Sequence, residues 1–142
     1  MAAMDAPEIR RFLEEGTRTG KLAVTRKDGS PLVAPIWFLV DEDGTIVFTT
    51  GAETVKGRSL LRDGRVSLCV DDERAPYAFV RVDGTVQVSE HPGDLLAWAT
   101  RIGGRYMGAA LAEQYGRRNG VPGELLVRII PETVRGEANV AG

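Results

Sequence analysis

The sequence predicts a mainly β protein with flanking helices, built as a small barrel of six to seven mostly antiparallel strands. Short stretches that alternate apolar and polar residues recur along the chain, and a period of two is typical of half-buried strands. Glycine-rich tight turns separate most of these stretches, which favours antiparallel pairing of neighbours. Because an open sheet of short strands would leave unpaired edges, the pattern favours closure into a barrel. A chain of 142 residues without repeats is predicted to form a single domain, residues 1–142.

A helix and a loop are predicted over residues 1–20. Asp5 is a suitable N-cap, Pro7 lies in the first turn, and Glu8 completes a capping box. Gly16 is the expected stop signal for this helix.

The barrel strands are predicted between residues 21 and 90. The first is Lys21–Arg26, and a tight turn leads from it to Pro31–Val40, the most apolar run of the chain. Because Pro31 and Pro35 cannot donate a ladder hydrogen bond, this run is predicted to be an edge strand, a bulge or a place where a ligand approaches the backbone.

Thr45–Thr50 is predicted to be the next strand, because apolar and polar residues alternate along it. A short basic helix capped by Thr54 is predicted at residues 54–62, and Arg65–Val70 is the strand that follows. The single cysteine, Cys69, lies in that strand, where a buried and unreactive thiol is expected.

A hairpin is predicted from Tyr77–Val82 and Thr85–Glu90, because an Asp-Gly pair is a common turn between two strands. The turn would lie at Asp83 and Gly84. His91, directly after this hairpin, is predicted to be a loop residue rather than a catalytic base.

Two helices are predicted over residues 94–118. Asp94 is the expected cap of the first helical segment, Leu95–Tyr106. Gly103, Gly104 and Gly108 are expected to interrupt the helix before the second, Ala109–Arg118.

The last strand is predicted to begin at Glu124 and to be stopped by Pro131. The segment after the proline is expected to add a short edge strand, so that strand structure reaches residue 136. Residues 137–142 would then form a tail.

The chemistry suggested by the region around the basic helix is anion binding. A helix start offers free backbone N–H groups and the positive end of the helix dipole. Thr49, Thr50 and Ser59 could add hydroxyl groups, and Lys56 and Arg58 could add charge. Together these residues could hold a phosphate, although a basic helix is also common on a solvated surface.

Composition excludes several other classes of function. A net charge of −2 gives no reason to expect nucleic acid or an anionic membrane as a partner. The chain shows no apolar run of membrane-spanning length and no secretory signal, so a cytoplasmic location is expected. One cysteine and one histidine cannot form a usual zinc site, and no metal is predicted.

Three groups of residues resemble the pyridoxamine-5′-phosphate-oxidase-like split β-barrel superfamily, and more narrowly the deazaflavin (coenzyme F-420)-dependent oxidoreductases of actinobacteria. The resemblance extends from about Glu8 to Ile130. The residues that carry it are Asp28, Gly29, Pro31, Pro35, Trp37 and Phe38, then Lys56, Arg58, Leu60 and Asp63, and last Arg105, Tyr106, Met107 and Gly108.

The resemblance implies a split barrel of the FMN-binding type that forms a homodimer, with two cofactor sites at the subunit interface. The ring of the cofactor would lie against Ala34–Phe38, its phosphate would meet the anion-binding residues, and the second subunit would contribute residues around Tyr77–Phe79 as well as Trp98, Arg105 and Tyr106. The cofactor-binding residues implied are Pro35, Ile36, Trp37, Thr49, Thr50, Lys56, Arg58, Ser59, Tyr77 and Arg105.

The implied activity is that of a coenzyme F-420-dependent oxidoreductase, which transfers a hydride from the reduced deazaflavin to an electron-poor small organic substrate. The oligoglutamate tail of this coenzyme would require further positive charge. Candidates for that role are Lys21, Arg26, Lys27, Arg62 and Arg105. No residue is assigned as catalytic, although Arg105 and Tyr106 are candidate proton donors.

Two alternatives stay open: an FMN-dependent oxidoreductase of the same fold, and a non-catalytic protein that binds a cofactor or a similar planar ligand. A haem-binding member of the superfamily is conceivable as well. Oxidation of vitamin B6 is not expected, because a pyridoxamine-phosphate oxidase would carry a longer basic C-terminal region.

Overall fold

A computed structural model describes residues 1–142 and confirms a mainly β fold with flanking helices. A single 3-10 turn, Ala109–Leu111, accompanies the regular elements. In chain order the elements are β1 (Ala2–Ala3), α1 (Ala6–Glu14), β2 (Gly20–Thr25), β3 (Pro31–Ile36), β4 (Leu39–Val40), β5 (Ile46–Gly51), α2 (Val55–Arg62), β6 (Arg65–Asp72), β7 (Ala78–Ser89), α3 (Pro92–Met107), α4 (Ala112–Asn119) and β8 (Glu124–Ala138).

All strands pair antiparallel in one curled sheet with the order β3-β2-β6-β7-β8-β5-β4, and β1 adds to the end of β8. The edge strands β3 and β4 lie at opposite ends of this order, yet only Trp37 and Phe38 separate them in the chain. Three residue steps span at most about 10 Å, so the two ends of the sheet must curl towards each other. The predicted barrel is confirmed as a half-barrel, with the proline-containing β3 at its edge.

The inside of the half-barrel is filled by side chains. Phe38, Phe48, Leu22 and Leu68 are fully buried there, together with residues from β7 and β8. A second, smaller cluster forms where α3 packs on the outer face of β5 and β8. It consists of Val47, Leu95, Trp98 and Leu126. The filled interior leaves no space for a ligand inside the barrel.

The predicted hairpin at Asp83 and Gly84 is wrong, because β7 runs without a turn from Ala78 to Ser89. The register between β7 and β8 shifts at these two residues, which marks a β-bulge. A Cβ at Gly84 would overlap the carbonyl oxygen of Ile130 on β8. The glycine is thus required for close approach of two strands and not for reversal of the chain.

The prediction that Pro131 ends the last strand is also wrong. Strand β8 continues to Ala138, and Pro131 lies opposite the bulge at Gly84. On the other side of β8, pairing with β5 ends at Ile129 and pairing with β1 begins at Glu137. The missing N–H of the proline therefore falls where the sheet is irregular, which is the usual position for proline in a strand.

The predicted cap of α1 is confirmed, and the predicted cap of α3 is wrong. The capping box of Asp5 and Glu8 forms as predicted. The cap of α3 is His91 and not Asp94, since Nδ1 of His91 accepts a hydrogen bond from the backbone of Asp94. Helix α3 also continues through Gly103, where a Cβ would lie 2.6 Å from Cβ of Tyr115, so this glycine permits close packing of α3 on α4.

Cys69 is half-buried rather than buried, because it lies on the outer face of β6. Partial burial raises the pKa of its thiol, and Asp71 adds to the effect. None of the helices combines the length and the apolar character needed to cross a bilayer.

Candidate functional site

A cleft of about 330 Å³ lies between the β3–β4 crossover, the end of β5 and the helices α2, α3 and α4. One side is aromatic and aliphatic, and the other carries hydroxyl and charged groups. The residues that line it are Pro35, Ile36, Trp37, Thr49, Thr50, Gly51, Lys56, Ala99, Ile102, Arg118, Asn119 and Glu124. Six of the ten residues expected to bind a cofactor are therefore brought together in one cleft.

The aromatic wall of the cleft is a stack of two rings. Trp37 lies parallel to Tyr106, with ring centroids 5.1 Å apart and an angle of 3° between the planes. The hydroxyl of Tyr106 donates to the carbonyl oxygen of Arg18 at 2.8 Å and accepts from the backbone N–H of Phe38 at 3.2 Å. Both hydrogen bonds fix the hydroxyl end of Tyr106, so its ring is held in position against the Trp37 ring.

We expect Tyr106→Phe to lower the free energy of unfolding by about 1–2 kcal/mol, because it removes two hydrogen bonds of a part-buried hydroxyl but keeps the ring stack. Urea unfolding followed by tryptophan fluorescence would measure this. Tyr115→Phe is the matched control, because Tyr115 packs against Trp37 through its ring alone. Equal stability of the two variants would contradict the role given to the Tyr106 hydroxyl.

The polar side of the cleft is shaped by the start of α2. The hydroxyl of Thr54 accepts from the backbone N–H of Gly57 at 2.9 Å and donates to the carbonyl oxygen of Gly51 at 2.8 Å. This tight turn directs Lys56 into the cleft. The ammonium group has no hydrogen-bond partner, and burial lowers its pKa, while Glu124 partly offsets that effect.

Arg118, Asn119 and Glu124 belong to the cleft but were not identified from the sequence. Glu124 begins β8 directly opposite Gly51 of β5. Burial raises the pKa of its carboxyl group, and nearby Lys56 acts in the opposite direction. A local pattern cannot reveal Glu124, because its position depends on pairing between strands more than 70 residues apart. Arg118 and Asn119 reach the cleft from the end of α4.

Arg58 and Ser59 do not line this cleft. Residues two apart on a helix point in nearly opposite directions, so Lys56 and Arg58 lie on different sides of α2. Arg58 faces a second groove of about 660 Å³, which we call the basic groove. Ser59 lies at its base and is only 1% exposed. The basic groove is lined by Arg26, Lys27, Asp28, Val55, Arg58, Ser59 and Arg62.

Arg105 is placed outside the cleft. Its guanidinium donates to the carbonyl oxygens of Leu13, Gly16 and Phe38 at 2.7, 3.0 and 2.7 Å. All three nitrogen atoms are therefore occupied, and burial lowers the pKa of this side chain. Because the hydroxyl of Tyr106 is also occupied, neither residue is free in this chain to donate a proton to a substrate.

Tyr77 and Lys21 lie elsewhere as well. Tyr77 is 46% exposed in the loop before β7, and its carbonyl oxygen accepts from the backbone of Val140. Lys21 forms an ion pair with Asp71 at 2.8 Å on the outer face of the sheet. Of the five cations considered for an anionic tail, only Arg26, Lys27 and Arg62 meet in one place, the basic groove.

The profile of the family described as pyridoxamine 5′-phosphate oxidase matches residues 6–137, nearly the whole chain. The protein belongs to this family. The pyridoxamine 5′-phosphate oxidase family has the split-barrel fold, binds flavin-type cofactors and includes oxidoreductases. No curated protein sequence matches the chain significantly.

Solved structures extend this family relationship. A conserved hypothetical protein from Mycobacterium tuberculosis is 27% identical, with a TM-score of 0.83 over 96% of this chain and 86% of that one. An F-420 reductase is 25% identical, with a TM-score of 0.69 over 87% of this chain and 94% of its own. A FAD-binding protein from Mesorhizobium loti, 24% identical over 95% of both chains with a TM-score of 0.66, shares the fold.

Proposed function

We propose that this member of the pyridoxamine 5′-phosphate oxidase family is a coenzyme F-420-dependent oxidoreductase, which reduces an electron-poor double bond in a small organic molecule. The observation that carries the proposal is the cleft, where a fixed indole wall and a partner-free ammonium group face the same space. A flat ring joined to a phosphate needs both features. The similarity to an F-420 reductase supports the choice of deazaflavin.

In this proposal the ring of the coenzyme lies along Pro35, Ile36 and Trp37. The aliphatic side chains of α3 exclude water from the ring, and the hydroxyls of Thr49 and Thr50 hold the phosphate together with Lys56. When bound, the reduced deazaflavin supplies a hydride. The protein contributes orientation and a partly dry environment.

The basic groove is suited to the anionic tail of the coenzyme. Four cationic side chains and one carboxylate line it, so its local charge is positive. Arg62 is held in the groove by a hydrogen bond to the carbonyl oxygen of Thr25. Because the groove borders α2 on the side opposite Lys56, a tail that passes the start of α2 would reach it. We propose that the groove binds the oligoglutamate carboxylates.

We further propose a homodimer in which the second subunit covers the cleft. The half-barrel leaves the cleft open, and Tyr77, which the family resemblance implies as a cofactor-binding residue, is exposed and does not line the cleft of its own chain. A partner could supply this aromatic side chain. Native mass spectrometry would test the assembly, and a monomer at micromolar concentration would refute it.

The first experiment is a fluorescence titration of the apoprotein with coenzyme F-420 and, in parallel, with FMN. Micromolar or tighter binding of the deazaflavin, about −8 kcal/mol, with weaker binding of FMN would support the proposal. An acceptor screen with the reduced coenzyme would then test turnover, and tight binding without turnover would indicate a non-catalytic binding protein. If neither compound bound, the proposed function would be refuted.

FMN dependence is the second candidate, because Lys56, Arg118 and two threonine hydroxyls of the cleft can contact one phosphate without the basic groove. The two candidates differ in their use of that groove. Arg26→Ala and Arg62→Ala should weaken binding of coenzyme F-420 and leave FMN unaffected. A protein that is yellow as purified would favour FMN.

We expect Lys56→Ala to weaken cofactor binding by about 1.5–3 kcal/mol, the range for a hydrogen bond to a charged group. The same titration would measure the dissociation constant. Lys21→Ala removes an equal charge outside the cleft and should bind as the wild type does. Unchanged affinity of Lys56→Ala would exclude Lys56 from the phosphate site.

A further inference from the structure

The cleft holds a carboxylate at the end that the proposed function gives to a phosphate. Glu124 lines the cleft beside Lys56, and a Cβ at Gly51 would lie 3.9 Å from its Oε1 atom. The carboxylate accepts no hydrogen bond from the chain. An anionic ligand bound at Lys56 would therefore come close to a negative charge that no donor satisfies.

The charged groups of the cleft leave only one net positive charge as long as Glu124 is ionised. Lys56 from α2 and Arg118 from α4 give two positive charges, and Glu124 from β8 removes one. The remaining lining, from β3, the crossover, β5 and α3, carries no charge. The phosphate monoester of FMN carries nearly two negative charges at neutral pH, whereas the phosphodiester of coenzyme F-420 carries one. The cleft therefore matches a monoester only when Glu124 is neutral, and it matches a phosphodiester when Glu124 is ionised.

We propose that Glu124 determines which ligands the cleft accepts, because it must take up one proton when a phosphate monoester binds and stays charged when a phosphodiester binds. The inference rests on the proposed function, since it takes the ligand to carry a phosphate. Protonation removes the repulsion and also turns the carboxylate, an acceptor only, into a hydroxyl donor for a phosphate oxygen. Partial burial already favours the neutral form of Glu124, so its pKa in the free protein is raised.

The sign of the resulting pH dependence follows from linkage. Bound phosphate raises the pKa of Glu124 further, so binding is tightest below the pKa of the free protein. Affinity then falls by about tenfold per pH unit until the pH reaches the pKa of the complex. At pH 8 a phosphate monoester is already a dianion, and inorganic phosphate is mostly one, so the ligand adds little titration of its own.

Glu124→Gln tests the proposal, because glutamine is a neutral isostere with an N–H donor. Calorimetric titrations with FMN, coenzyme F-420 and inorganic phosphate would be run at pH 5 and pH 8, each in two buffers of different ionisation enthalpy. At pH 8 we expect the variant to bind FMN or phosphate at least about tenfold more tightly than the wild type. At pH 8 the wild type should take up close to one proton and the variant close to none, and the difference between the two affinities should be smaller at pH 5 than at pH 8.

Glu113→Gln, a change of an exposed residue on α4, is the matched control and should behave as the wild type does. Equal or weaker binding by Glu124→Gln at pH 8 would overturn the proposal, because Glu124 would then act as an acceptor for the ligand. Proton uptake that persists in the variant would overturn it too, since Lys56 would be the titrating group. If both cofactors fail to bind but phosphate shows the expected difference, the proposed function fails and the inference stands; if phosphate also shows none, both fail.

Discussion

Replacing Arg105 by methionine is expected to lower the free energy of unfolding by about 3 kcal/mol or more, since each lost hydrogen bond to a charged group contributes about 1.5–3 kcal/mol. The guanidinium joins the end of α1 to the β3–β4 crossover through three carbonyl oxygens, and it also packs over the ring of Phe38 at 4.8 Å. Methionine keeps much of the side-chain volume but leaves these carbonyls without a donor. Urea unfolding would measure the loss.

Arg101→Met is the control, because this substitution removes the same charge one turn earlier on α3. The guanidinium of Arg101 contacts only the Trp98 ring, at 4.0 Å. We expect it to cost about 1 kcal/mol or less, the range for an exposed cation–π contact. If the two variants were equally stable, the three carbonyl contacts of Arg105 would contribute nothing, and its place as a cofactor ligand would have to be reconsidered. A retained ligand affinity in folded Arg105→Met would support a structural role.

Local sequence signals predicted the elements whose cause is local. The capping box at Asp5 and the cap at Thr54 each involve residues within one helical turn, and both form as expected. The prolines of β3 likewise predicted an edge, because a missing N–H is a property of the residue itself.

Signals that depend on distant contacts were misinterpreted. Asp83-Gly84 has the composition of a hairpin turn, but Gly84 is needed because β8 passes too closely for a side chain. Arg105 belongs to a motif of the family resemblance, yet its donors are used by carbonyls 67 or more residues away. Glu124 enters the cleft only through its pairing with Gly51. A short motif states which residue is present but not which long-range contact requires it.

Gly57→Ala is expected to damage the cleft, although alanine normally favours a helix. A Cβ at this position would overlap the carbonyl oxygen of Gly51. The Cβ position is fixed by the backbone of residue 57 and the oxygen belongs to the backbone of Gly51, so neither atom can rotate away. The start of α2 must move, which breaks the bonds that Thr54 makes to Gly51 and Gly57 and displaces Lys56. We expect a loss of about 1–3 kcal/mol in unfolding free energy, the cost of overpacking, together with a weakened affinity for the cofactor.

Gly104→Ala in α3 separates this steric effect from the helix propensity of alanine. A Cβ at Gly104 would lie 3.4 Å from that of Ala112, close to ordinary contact, so we expect this variant to be neutral or up to about 1 kcal/mol more stable. Both substitutions replace a helical glycine by alanine. Only at residue 57 does the new Cβ meet a backbone oxygen, that of Gly51. A Gly57→Ala variant with wild-type stability and affinity would mean that α2 can shift without moving Lys56, and the cleft would then owe its shape to β5 and the β3–β4 crossover alone.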